Sequence, residues 1–306
     1  MLKNDRILDW SGERQKAVTH ERFIKKYTPF THKFLMGVAR ATKVDRLDLV
    51  TLLAHEEIVH QPHCSGVCVK DGTDQKTVLG QTWDWPPRYA PFGDVVEYEI
   101  ADGEHVMSYQ FPGLWAATGL NKSGLSLIWT GVGYYPNVKP RDGVPTYAII
   151  SELLQKKSVD EAIEFLVNIP NAGSFAFLIA DKNKIAVIEA APGKLVVEQD
   201  ANIYLRANHY DNPILKEFTH QNMPSDHESI RRREILELRF RAQAKKGKLN
   251  IAAIQRILGG SKKISNYSQA NATIAMIAID PAELELHLTR GGFPFEAPKI
   301  FRFSRQ

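Results

Sequence analysis

Apolar positions along this chain change their period twice. Up to about residue 63 they recur at helical spacing among many charges. Asp45 is placed to cap a helix on which Leu47, Val50 and Leu53 share a face, running to about Ile58. From Val67 to Asp211 the texture becomes short apolar runs bounded by turn residues, which predict strands at 67–69, 77–83, 95–100, 106–111, 125–130, 175–180, 185–190, 194–199 and 203–208. Two helices interrupt them. Pro145 opens the first, with Ile149, Ile150, Leu153 and Leu154, and Ser158-x-x-Glu161 is a capping box for the second, with Ile163, Phe165 and Leu166. A further helical block starts at the capping-box pattern Ser225-x-x-Glu228 and runs to about Ala244. The stretch 250–258 predicts a short helix stopped by Gly259-Gly260, and strands at 273–279 and 284–288 close the chain.

Strands in bulk, broken by helical blocks, predict an α+β protein of stacked antiparallel sheets covered by helices. Composition adds limits. The chain has 306 residues, with 43% hydrophobic and 24% charged, enough to bury a substantial core. A formal net charge of +4 is too weak to imply a nucleic-acid partner. Two cysteines exclude a disulfide framework and suit a reducing compartment. The first residues hold no apolar run like a signal peptide, and no later stretch approaches a membrane span, so a cytoplasmic location is expected.

The chemistry concentrates between His63 and Trp85. Both cysteines, Cys64 and Cys68, lie there, followed by a polar turn (Asp71, Gly72, Asp74) and a run ending in Trp83-Asp84-Trp85. Cys64 sits where a strand begins, and a hairpin would bring Asp84 back to the same sheet end. A thiol and a carboxylate at one edge make a nucleophile and its orienting partner. The plainer alternative is that both cysteines are small buried hydrophobes. Asn208, before His209-Tyr210, is equally suited to turn formation, and Arg231, Arg232 and Arg233 to a solvated helix face. Trp83, Trp85, Tyr89, Trp129, Tyr134 and Tyr135 are either the lining of an apolar pocket or core. A metal-binding module is a separate reading: His60, His63, Cys64 and Cys68 are soft ligands within one short stretch. Against it, adjacent His63 and Cys64 converge poorly on one ion, and His55-Glu56 with His60 misses the spacing of a zinc-protease helix.

The stretch Cys64-Ser65-Gly66-Val67-Cys68-Val69, then Gly80-Gln81-Thr82-Trp83-Asp84-Trp85, resembles the start of the mature chain in one family. It is that of the acyl-coenzyme A:6-aminopenicillanic acid acyltransferases, relatives of penicillin V acylase, bile salt hydrolase and acid ceramidase. Gly119–Leu125, Ser174–Asp181 and Asn208-His209-Tyr210 echo the family further on, in order, so that the likeness runs from about Thr42 onward. The resemblance implies an N-terminal-nucleophile hydrolase with a four-layer αββα sandwich. It divides the chain into a helical pro-segment, 1–63, and a catalytic domain, 64–306. Cleavage before Cys64 would put an α-amine on the residue that carries the thiol. The reference pKa of such an amine is about 7.7 to 8.0, which makes one residue nucleophile and base at once. The implied reaction cleaves, or transfers the acyl group of, a small-molecule linear amide through a thioester, without metal or organic cofactor. Asp84 matches the aspartate that holds the amine or thiol, Asn208 the oxyanion donor, and Arg232 is the best fit among three arginines to one found near the nucleophile. A catalytically inactive relative used only for binding stays open, as does a homo-oligomer. Three positions depart from the pattern. Gln81 stands where the bile salt and penicillin V enzymes have arginine, although the acyltransferase branch also carries glutamine. Thr130 falls near a second oxyanion asparagine, so that donor would be a backbone N–H. His63 replaces the glycine that precedes many nucleophiles and puts efficient self-cleavage in question. If the chain works uncut, His209 is the nearest base in sequence.

Overall fold

The expected hairpin around Cys68 forms. Strand β1 (Ser65–Lys70) pairs antiparallel with β2 (Thr77–Trp85), Ser65 opposite Thr82 and Lys70 opposite Thr77. This computed structural model describes residues 9–59, 64–70, 76–100, 103–132, 139–220, 227–247, 249–260, 272–291 and 296–304. After β2 come a 3₁₀ turn (Pro87–Phe92), β3 (Asp94–Glu99), β4 (His105–Phe111), β5 (Leu114–Asn121) and β6 (Ser126–Gly131). Strands β7 (Phe175–Ala180), β8 (Ile185–Ala191), β9 (Lys194–Glu198) and β10 (Ile203–Arg206) follow, then β11 (Ala272–Asp280), β12 (Glu285–Arg290) and β13 (Lys299–Arg302). They make two antiparallel sheets: β10-β1-β2-β11-β12-β13, and β3 to β9 in sequence order.

The helices supply the outer layers. Helices α1 (Trp10–Tyr27), α2 (Pro29–Thr42), α3 (Arg46–Leu53) and α4 (His55–Val59) precede the sheets; α5 (Thr146–Leu153) and α6 (Val159–Val167) lie between β6 and β7; α7 (Pro213–His220), α8 (Glu228–Ala244) and α9 (Ile251–Gly259) lie between β10 and β11. Strand alternation decides which layer each side chain meets. Val67, Val69 and Val78 point outward and pack with Leu236, Phe240, Ile254 and Leu258 of α8 and α9. Cys68, Leu79 and Trp83 point inward to the core shared by both sheets. Gly80 is where α9 comes closest: a Cβ there would collide with Ile254 Cγ2, and Leu258 Cδ1 would stand 3.0 Å away. Helix α5 covers the second sheet, and the N-terminal helices pack on α5 in turn. Helix α7 packs Leu215 with Tyr210, Ala176 and Ala191.

The caps follow the sequence in part. Asp45, Ser158 and Asn250 accept from Leu47, Glu161 and Ala253 N–H. The helical stretch after Asp45 is broken at Ala54 into α3 and α4. Helix α8 starts at Glu228 with His227 as its cap, so it does not begin at Ser225, which lies outside the described residues. The strand expected to reach Asn208 stops at Arg206. Strands β5 and β13 were not expected from the pattern. The Ala-Ala, Gly and Asn of β5 favour strand weakly, and β13 is a four-residue edge that pairs on β12. Among the described residues no helix is long and apolar enough to cross a membrane.

The second sheet is open between β5 and β6, where pairing is confined to Gly119 with Leu127 and Leu120 with Ser126. Gln81 of the first sheet fills the opening. Its Oε1 accepts the Trp129 N–H at 2.9 Å and lies 3.1 Å from the Thr118 hydroxyl. An amide oxygen thus replaces the backbone acceptor that β5 fails to provide.

Candidate active site

Cys64 precedes β1, on the hairpin end where β2 closes, and keeps some exposed surface. Arg232, on the buried face of α8, reaches this end. Its Nη1 donates to the Cys64 carbonyl oxygen at 2.7 Å and lies 3.2 Å from Ser65 Oγ. Its Nη2 donates to Asn208 Oδ1 at 2.5 Å. The planar fork joins the start of β1 to the loop after β10, which a point-like ammonium would not do. Asn208 Nδ2 donates one hydrogen to the Gly131 carbonyl at 2.7 Å, tying the end of β6 to the same place. Its second hydrogen is left for another acceptor.

Asp84 lies near the end of β2 and is buried. Thr273 of β11 donates to its Oδ1 at 2.6 Å, whereas Oδ2 is enclosed with no hydrogen-bond partner among the described residues. Burial pushes this carboxyl up to about 7, opposed by the Arg232 charge and by the Thr273 and Thr82 hydroxyls. Burial, helped by the Asp84 charge, pushes the Cys64 thiol up to about 12, although the Asp84 backbone N–H and Arg232 pull the other way. With a peptide bond on its nitrogen, the thiol is therefore far from ionised at neutral pH.

The four candidate residues converge, and the neighbouring candidates part from them. Arg231 is exposed, and Arg233 turns to Asp211 (3.1 Å) and Glu237 (3.1 Å). His209 Nδ1 lies 2.7 Å from Ser229 Oγ, and its Nε2 lies 3.6 Å from Asp211. Cys68 is fully buried in the inter-sheet core, where burial raises its pKa well above that of an ordinary thiol. Such a thiol is poorly placed to share an ion with Cys64. His60, His63, Tyr134 and Tyr135 lie outside the described residues. Among the described residues no cluster of three or more metal-ligating side chains occurs. Trp83, Trp85, Tyr89 and Trp129 are buried and form one aromatic cluster with Tyr109 and Phe111, which makes them core. A cleft of about 590 Å³ between α8, α9 and the strands beneath is lined by Arg239, Lys246 and Arg256 and by none of the four candidates.

The sequence model of the acyl-coenzyme A:6-aminopenicillanic acid acyl-transferase family matches residues 70–293, well over half of the chain. The chain belongs to that family. As a member of the acyl-transferase family it carries the matched region from within β1 onward, so the match spans Asp84, Asn208 and Arg232 and begins after Cys64. Among solved structures, it is similar to a mutant conjugated bile acid hydrolase from Clostridium perfringens. That alignment has 14% identity and a TM-score of 0.56, covering 78% of this chain and 92% of the other. It is also similar to the Caenorhabditis elegans ortholog of the N-acylethanolamine-hydrolyzing acid amidase, with 13% identity and a TM-score of 0.51, covering 71% of this chain and 93% of the other. Both likenesses show the fold: two antiparallel sheets between helices. No curated protein sequence matches the chain.

Three further residues of the site escaped the sequence reading: Ser229, Thr273 and Gly131. Ser229 had a readable signal, since it precedes Arg232 by about one turn of a single helix and so shares its face. Thr273 and Gly131 had none, because each meets its partner through sheet geometry.

Proposed function

We propose that this family member is a cysteine-nucleophile hydrolase or acyltransferase acting on a small-molecule linear acyl amide, and that Cys64 acquires its base through cleavage of the His63–Cys64 bond. The observation that carries the reading is the buried Oδ2 of Asp84, which has no hydrogen-bond partner among the described residues, beside a thiol that burial keeps protonated. A free Cys64 α-amine would meet both needs. As an ammonium it would pair with Asp84, and as an amine it would take the thiol proton.

In the first turnover, Cys64 Sγ attacks the His63 carbonyl carbon. The His63–Cys64 C–N bond breaks and its nitrogen leaves protonated as the new α-amine. Water then hydrolyses the thioester, releasing the His63 carboxylate and restoring the thiol. In later turnovers the thiol gives its proton to the α-amine and attacks the substrate carbonyl. The developing oxyanion accepts the remaining Asn208 Nδ2 hydrogen, a type of donor typically worth about 10²–10³ in rate. Collapse expels the amine, protonated by the Cys64 ammonium, and leaves an acyl thioester, which water or an acceptor amine resolves. Arg232 holds Cys64 and Asn208 in register without entering the proton transfers. Residues 1–63 are then a pro-segment whose helices α2, α3 and α4 pack on α5, where Glu57 Oε1 accepts from the Thr146 N–H (3.0 Å) and hydroxyl (2.8 Å).

Intact-mass measurement of purified protein tests this directly. Two fragments, one ending at His63 and one starting at Cys64, are expected, with Cys64→Ala leaving a single uncut chain that is inactive on acyl amides. A fully active, uncut wild-type chain would overturn the proposal.

A further inference from the structure

Asn208 is gripped at both ends by one turn of α8. Arg232 donates to its side-chain oxygen, and its backbone N–H donates to Ser229 Oγ at 2.7 Å. Beyond Ser229 a polar chain continues: Ser229 Oγ to His209 Nδ1 at 2.7 Å, then His209 Nε2 to Asp211 Oδ1 at 3.6 Å. Ser229 and His209 are 1% and 3% exposed, so both side chains are enclosed in the interior.

The direction of these bonds follows from the charges behind them. Asp211 faces Arg206 (3.5 Å) and Arg233 (3.1 Å), and its carboxyl is held far below the usual carboxylate range. Burial opposes that shift, and the nearby His209 imidazole and the two guanidinium charges outweigh it. A neutral imidazole facing an ionised Asp211 carries its proton on Nε2, which leaves Nδ1 as an acceptor. The Ser229 hydroxyl then donates to Nδ1, and its lone pair is aimed at the Asn208 N–H. The order Ser–His–Asp is that of a nucleophilic triad, but it cannot serve as one. Ser229 is sealed from solvent, and its oxygen already receives the Asn208 N–H.

Asn208 itself has one orientation. Gly131 O takes one Nδ2 hydrogen and Arg232 supplies a donor to Oδ1, so turning the amide over would set oxygen against oxygen and nitrogen against guanidinium. We infer that Ser229 and His209 are positioning residues that fix the Asn208 backbone so that its spare amide hydrogen points at the carbonyl oxygen of the acyl amide attacked by Cys64. The inference rests on the roles of Cys64 and Asn208 given above.

The test uses the full chain and straight-chain acyl p-nitroanilides from acetyl to palmitoyl, taking whichever the wild type turns over fastest. Ser229→Ala should lower kcat by a large part of the ~10²–10³ expected for losing the donor itself, with KM within about twofold. The rate of Cys64 alkylation by iodoacetamide should stay unchanged, since the nucleophile is untouched. In an Asn208→Ala background the Ser229→Ala loss should vanish, because both changes remove one interaction. His209→Asn offers an amide oxygen near the position of Nδ1 and should keep most of the rate that His209→Leu loses. Unchanged kcat in Ser229→Ala, or a loss that persists in the Asn208→Ala background, overturns the inference. So does a loss matched by slower alkylation, which would mean that the site has loosened as a whole. If Asn208→Ala itself keeps full kcat, or no anilide is turned over, it is the underlying reading that fails.

Discussion

Arg232 and Cys64 are separated by 168 residues in sequence, yet the guanidinium of one donates to the carbonyl oxygen of the other at 2.7 Å. The contact joins the last helical block to the first strand and places Asn208 in the same grip. Its weakening should be felt in catalysis before it is felt in folding. Arg232→Lys keeps a charge but loses the fork, and should lower kcat by about tenfold or more with a modest change in melting temperature. Arg232→Ala leaves Asn208 Oδ1 and Cys64 O without their donor and should cost about 1–3 kcal/mol as well. Steady-state kinetics and thermal melts separate the two effects. Equal kcat for wild type and Arg232→Lys would reduce Arg232 to a structural tie.

Asp84 gives the uncut chain a characteristic pH dependence. Its carboxyl is raised from 3.8 to about 7 by burial, so the folded state holds the proton more tightly than the unfolded one. The stability it contributes is fully present below about pH 4 and is lost as pH rises through about 7, by at most ~4 kcal/mol at 1.36 kcal/mol per unit. In the uncut Cys64→Ala chain, Asp84→Asn should therefore change stability little at pH 4 and raise it increasingly toward pH 8. Urea midpoints at several pH values measure this. A constant offset would place the shift elsewhere.

Self-cleavage should read the same group with the opposite sign. If the proposed cleavage occurs, the Asp84 carboxylate would be the base next to the Cys64 thiol before the α-amine exists, so the cleavage rate should rise as Asp84 ionises around pH 7. Timed intact-mass spectra across pH 5 to 9 would follow it, and Asp84→Asn should remain uncut. A flat profile, or normal cleavage in Asp84→Asn, would exclude this base.

The two thiols should behave differently. Cys68 is an inward-facing core residue on β1, so Cys68→Ala should lose on the order of 1 kcal/mol of stability and little activity. Cys64→Ala should lose activity and little stability. Equal losses of activity at both positions would return the metal-binding reading to consideration.

Much of the fold was legible in local pattern because strands and caps are local events. The run at 175–180 became β7, and Asp45 and Ser158 cap the helices that their spacing predicts. The hairpin that returns Asp84 to Cys64 could be read from two apolar runs and a polar turn. Strand β5 could not, since its Ala, Gly and Asn residues become a strand only when β4 supplies a partner. Likewise the α8 cap fell to His227, a residue whose side chain seldom announces a helix start.

Sequence by itself determined the two sheets, most of the helices that cover them and the identity of the thiol that opens β1, because period and turn chemistry act over a few residues. Tertiary structure alone decided which arginine of three meets Cys64, since that depends on which side of α8 faces the sheet. It alone set Asp84 near pH 7, because burial is a property of everything packed around the carboxyl. It also turned His209 away from the thiol and toward Ser229 and Asp211, through charges contributed by Arg206 and Arg233 from separate elements. Such placements depend on contacts between residues far apart in the chain, and no local period records them.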